Sequence, residues 1–100
     1  MNNLENITTN HREYLYNVME ENVLEAVKSI MAKDSSLCSC AVCFYNISAI
    51  ALNNLKPRYV TTNSGEVFAR ADKLSVLENT QIMVEIMRAI DIVRNKKMHD

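Results

Sequence analysis

One hundred residues with 11 basic and 12 acidic side chains, net charge −1, make one domain with no bulk attraction for a polyanion. Nucleic-acid binding led by charge is therefore disfavoured and would need a local basic patch. An apolar fraction of 48% is enough for a core, and one glycine and one proline argue against a turn-rich β fold and for long helices.

The opening residues MNNLENITTNHREY have no apolar core of the signal-peptide kind, and no run reaches membrane-spanning length. The expected location is the cytoplasm, with no membrane partner. Thiols stay reduced there, so three clustered cysteines suggest metal, redox chemistry or plain burial ahead of a structural disulfide.

Residues 1–9 are polar and read as a flexible N-terminus, leaving 10–97 as a single helical domain. Asn10 and Glu13 resemble a capping pair. From Leu15, apolar residues recur at three- and four-residue steps through Val18, Met19, Val23, Ala26, Val27, Ile30 and Met31, with Glu20, Glu21, Glu25 and Lys28 between them. This predicts a first helix over Asn10–Ala32. Lys33-Asp34-Ser35-Ser36 is a polar break.

A second helix is predicted from Ser39 or Cys40 to Leu55. Its run AVCFYNISAIALNNL is apolar nearly all round, the pattern of a helix covered on several sides. Pro57 stops it and biases Lys56 towards an extended conformation. Arg58–Thr62 then reads as a strand, Asn63-Ser64-Gly65 as a turn and Glu66–Ala69 as a returning strand. A lone pair of strands is marginal, so this hairpin must pack on a helix or on a second chain.

Asp72 is placed to cap a third helix that runs to Lys96. Val76, Leu77, Met83, Val84, Met87 and Ile90 form one stripe, which Ile82, Ile86, Ala89 and Val93 widen. At 1.5 Å per residue this helix is roughly 35 Å long. A stripe so long and wide favours a helix–helix dimer, and a lone domain this small leaves apolar surface to cover. Arg94, Lys96 and Lys97 complement the helix dipole. The expected fold is mainly α, a three-helix domain with a short β-hairpin between helices 2 and 3, dimeric.

Cys38, Cys40 and Cys43 are spaced C-x-C-x2-C at the start of helix 2, where amide dipoles favour the thiolate that binds metal. Zinc is the candidate, and no other cofactor is indicated. A structural zinc site needs four ligands. The fourth would have to come from His11, His99, Asp34, a water or another chain. The plain alternative is three small thiols buried at a packed helix start. No histidine is placed by sequence to activate a catalytic cysteine.

Lys56, Arg58, Tyr59, Thr61, Thr62 and Arg70 form a second constellation. Cations, an aromatic face and hydroxyls suit a phosphate-bearing ring compound. The alternative is an exposed turn whose basic residues keep an edge soluble. His11 and His99 read as solvent-exposed, Met83 and Met87 as core or interface, and Glu78, Glu85 and Asp91 as a solvated face. No paired carboxylates, phosphate loop or hydrolase triad stand out, so no enzyme is expected.

Taken together, Cys-x-Cys-x2-Cys, Ile47-x-Ala49-Ile50-Ala51-Leu52-Asn53-x-Leu55-x-Pro57-x-Tyr59-Val60, Gly65-Glu66 and a long last helix resemble late-competence development proteins of the ComFB type. Asn17-Val18-Met19-Glu20-Glu21 is similar to that family's opening helix, and the likeness spans about residues 15–95. Two departures stand out. Asn46 occupies a position that is usually acidic in the family. The region around Val93 and Arg94 lacks the late cysteine that completes a zinc site in some members.

The resemblance implies a small, dimeric, non-catalytic bacterial regulator linked to competence and, in some lineages, to cyclic dinucleotides, with cyclic di-GMP favoured. Under it, Arg58 and Arg70 would meet phosphate or stack on guanine, with Lys56 as a further cation. Tyr59 would stack, and Asn53, Thr61 and Thr62 would supply polar contacts. Binding would signal to a protein partner whose identity the sequence leaves open. The alternative is a protein–protein adaptor dimer, with zinc as a candidate stabiliser and no small-molecule ligand.

Overall fold

The structure, a computed structural model, describes residues 14–61 and 74–96. In these segments the chain runs through strand β1 (Leu15–Asn17), helix α1 (Val18–Lys33), helix α2 (Ala41–Asn53), strand β2 (Tyr59–Thr61) and helix α3 (Val76–Lys96).

Helix α1 starts at Val18, eight residues after the predicted start at Asn10, with Asn17 as its cap. The helical apolar period does extend back to Leu15, but Leu15–Asn17 is extended and pairs antiparallel with β2, Leu15 opposite Thr61, Tyr16 opposite Val60 and Asn17 opposite Tyr59. Asn17 Oδ1 accepts the Met19 N–H at 3.1 Å, closing the first turn as a cap side chain does. Asn10 and Glu13, the expected capping pair, lie outside the described residues. Glu20 and Glu21 in the first turn and Lys33 in the last suit the helix dipole. The predicted polar break follows, held by Asp34 Oδ1, which accepts from the Ser36 N–H at 3.0 Å and the Ser36 hydroxyl at 2.6 Å.

Helix α2 packs on both α1 and α3, more extensively on α3. Cys43, Ile47, Ser48 and Ala51 face inward. The buried Ser48 hydroxyl donates to the Phe44 carbonyl at 2.7 Å, so its polar atom is paired within the helix. Within the single chain the covering is incomplete, for Val42 and Tyr45 remain exposed.

The strand predicted over Arg58–Thr62 is present as Tyr59–Thr61, with Val60 buried between two exposed residues. Its partner in the two-stranded sheet is β1, from before the first helix. The expected returning strand, Glu66–Ala69, lies outside the described residues.

Helix α3 begins at Val76, and Asp72, the expected cap, lies outside the described residues. A capping box does the closing. Ser75 Oγ accepts the Glu78 N–H at 3.1 Å and Glu78 Oε1 accepts the Ser75 N–H at 2.8 Å. Ile82, Ile86, Ala89, Ile90 and Val93 enter the core with Met19, Val23 and Val27 of α1 and Cys43, Ile47 and Ala51 of α2. Of the stripe read as primary in the sequence only Ile90 is buried, while Val76, Leu77, Met83, Val84 and Met87 are exposed. No described helix is long and apolar enough to cross a membrane.

Candidate functional site

The three cysteines sit where the polar break turns into α2. Leu37, buried, anchors the approach. Cys38 is exposed, Cys40 is half-buried as the N-cap and Cys43 is buried one turn into the helix. Cys40 Sγ accepts the Cys43 N–H at 3.4 Å. None of the three forms a disulfide, and their sulfur atoms all lie within 4.8 Å of one another.

A metal–sulfur bond of about 2.3 Å puts sulfurs around one ion about 3.5–4 Å apart, so the trio needs only a small contraction to act as three ligands. The expected lowering of thiol pKa at the helix start is not found at Cys43. Burial, followed by hydrogen bonding to Cys38 and Cys40, pushes its thiol up to about 12. In the metal-free chain this thiol keeps its proton, and a bound cation would have to displace it.

The residues present fit three of the four ligands that structural zinc takes. Among the described residues no further His, Cys, Asp or Glu joins the cluster. Asp34, expected as a candidate, is engaged with Ser36 and lies 4.0 Å from the Arg94 guanidinium. The Ser36 hydrogen bonds hold its carboxyl below the usual range. His11 and His99 lie outside the described residues. Beside Cys38 and Cys43 is a cavity of about 250 Å³, walled by Leu37, Ile47, Ile90 and Val93 and bordered by Ser36 and Arg94. Val93 and Arg94, the region that lacks a late cysteine, border the same cavity as Cys38 and Cys43.

The second constellation is partly assembled. Alternation along β2 turns Tyr59 and Thr61 outward, and Leu15, opposite Thr61, is exposed as well. Tyr59 is 62% exposed. Asn53 and Lys56 are exposed on either side of the end of α2, whereas Thr62 and Arg70 lie outside the described residues.

Arg58 is half-buried and structurally engaged. Its N–H donates to Asn17 Oδ1 at 2.7 Å, its carbonyl accepts the Val18 N–H at 2.7 Å, and its guanidinium meets Glu78 at 3.3 Å. Glu78, expected on a solvated face, therefore joins the start of α3 to this corner. Its carboxyl is held below the usual range first by the Ser75 N–H, with the Ser75 hydroxyl and Arg58 adding to the effect.

Asn17, Ser75 and Glu78 were not among the expected site residues. The Ser75-x-x-Glu78 pattern is a sequence signal for a helix start. The long-range pairings of Asn17 and Glu78 with Arg58 have no local signal.

The family model described as late competence development protein ComFB matches residues 16–97. No curated protein matches. Among solved structures, the late competence protein ComFB from Bacillus subtilis is similar, with a TM-score of 0.57 and 23% sequence identity over 79% of this chain and 89% of that one. At that identity the likeness is one of fold.

Proposed function

The chain belongs to the ComFB family of late competence development proteins, and on that premise we propose that it is a small non-catalytic regulatory protein of the cytoplasm that binds a cyclic dinucleotide, cyclic di-GMP ahead of cyclic di-AMP, at the corner after α2. The observation that carries this reading is the outward face of β2, where the exposed Tyr59 ring stands two residues from the Thr61 hydroxyl and next to Arg58. A ring of this kind stacks on a base whatever its sequence, and nearby cations meet phosphate. Lys56 and Asn53 from the end of α2, with Thr62 and Arg70 beyond β2, complete the proposed set. Arg58 has five N–H donors, so its contact with Glu78 is compatible with a second contact to a phosphate oxygen. Occupancy would bias the corner that joins the starts of α1 and α3, altering the surface presented to a protein partner.

Calorimetry and thermal shift with the two cyclic dinucleotides test the reading. Heat with cyclic di-GMP, weakened about tenfold by Tyr59→Ala as loss of one stacking contact predicts, supports it. No heat and no shift with either compound overturns it.

A second reading, a protein–protein adaptor acting as a homodimer, is favoured by the exposed apolar residues Leu77, Met83, Val84 and Met87 along α3. Recovery of the same partner by the wild type and by Arg58→Ala and Arg70→Ala variants would favour the adaptor over ligand sensing. Zinc at the three thiols would serve as a stabiliser under either reading, and elemental analysis of protein purified without added metal measures it.

A further inference from the structure

The thiol cluster is assembled from one short piece of chain. Cys40 at the N-cap and Cys43 in the first turn are tied by the 3.4 Å N–H to sulfur contact, and Cys38 comes in from the polar break to bring all three sulfurs within 4.8 Å. No fourth ligand accompanies them among the described residues. Beside Cys38 and Cys43 lies the cavity of about 250 Å³, with Leu37, Ile47, Ile90 and Val93 on its walls and Ser36 and Arg94 at its border.

A tetrahedral ion such as zinc requires a donor on its fourth side. An ion that makes three pyramidal bonds to sulfur and carries a lone pair in the fourth direction requires only room there. Thiolates select such soft ions over hard ones. We propose that Cys38, Cys40 and Cys43 form a three-coordinate site for a trivalent thiophilic metalloid, the class that arsenite and antimonite represent, with room for its lone pair on the side of the cavity. The proposal shares no residue with the nucleotide-binding corner, so either can fail without the other.

The reaction balances without an oxidant or reductant. Arsenite enters as As(OH)3. Three S–H bonds and three As–OH bonds break, three As–S bonds form, and each thiol proton leaves with one hydroxide as water. Arsenic stays trivalent throughout.

The test is titration of the reduced full chain with arsenite alone. The expected result is one arsenic per chain with all three thiols lost to a thiol reagent, and an X-ray absorption spectrum showing three sulfur neighbours and neither nitrogen nor oxygen. Cys38 is exposed, so Cys38→Ser leaves the core intact. That variant should bind arsenite roughly 10²-fold more weakly, because one arm of the chelate is gone. His99→Ala should bind like the wild type. A thiol still reactive at saturation, nitrogen or oxygen in the arsenic shell, or undiminished affinity in Cys38→Ser would overturn the proposal.

Discussion

Asn17 closes α1 and holds β2 with a single side-chain oxygen, which accepts from both Met19 and Arg58. Removing it leaves two half-buried amides without that partner. Asn17→Ala should therefore cost about 1–3 kcal/mol of unfolding free energy, more than an ordinary cap loss, in urea titrations. Cys43 makes a prediction of a different sign. Its folded thiol titrates at about 12 rather than near the ordinary value of 9. The folded chain thus retains a proton that the unfolded chain gives up. Stability from this group is whole below about pH 9 and falls as the pH rises towards 12. Cys43→Ala should flatten that alkaline decline in metal-free protein. Ile86 is fully buried among all three helices, so Ile86→Ala should cost about 2–5 kcal/mol.

Helix α3 carries two adjacent apolar sectors one residue out of phase. Ile82 and Ile86 point into the chain's own core, while Met83 and Met87, the next residues along, remain exposed. A step of one residue rotates a helix by about 100°, so both sectors cannot face α2. The start of the same helix is pinned by Ser75 and Glu78, whose carboxylate also meets Arg58. Since Glu78 and Asp34 both titrate below their usual values, their contribution is complete above the ordinary carboxylate pKa and is lost as the pH falls through the lowered folded values. Glu78→Gln should make the acid limb of the stability profile shallower, and it should loosen the start of α3 as read by amide exchange.

For the whole molecule, the exposed sector of α3 together with Val42 and Tyr45 on α2 leaves a set of large apolar side chains in solvent. The adaptor reading makes part of that surface a dimer interface. Sedimentation should then show a dimer for the wild type and a monomer for Met83→Glu/Met87→Glu, with helicity kept because both residues lie outside the core. A wild-type monomer at high concentration would overturn the homodimer of the adaptor reading. The corner built from β1, β2 and the starts of α1 and α3 joins the first segment to α3 through the Arg58–Glu78 ion pair, and Arg94 joins the far part of α3 to the break after α1 through Ser36 and Asp34. Ligand and partner effects are expected to meet at that corner.

Helix existence was legible because α1 and α3 repeat apolar residues at a period that only a helix turns into a face and α2 is one long run apolar nearly all round, and the break at Lys33–Ser36 and the stop before Pro57 are local chemistry. The cysteine spacing likewise announced the thiol cluster. The partner of β2 was not legible, since a short extended segment carries no mark of which distant strand it will meet. Nor was the choice between the two sectors of α3, which are equally apolar. Local periodicity and capping are written within a few residues of chain. Strand pairing, the Arg58–Glu78 contact and the selection of one apolar face over its neighbour are settled only when helices pack, because burial is a property of what comes to lie opposite.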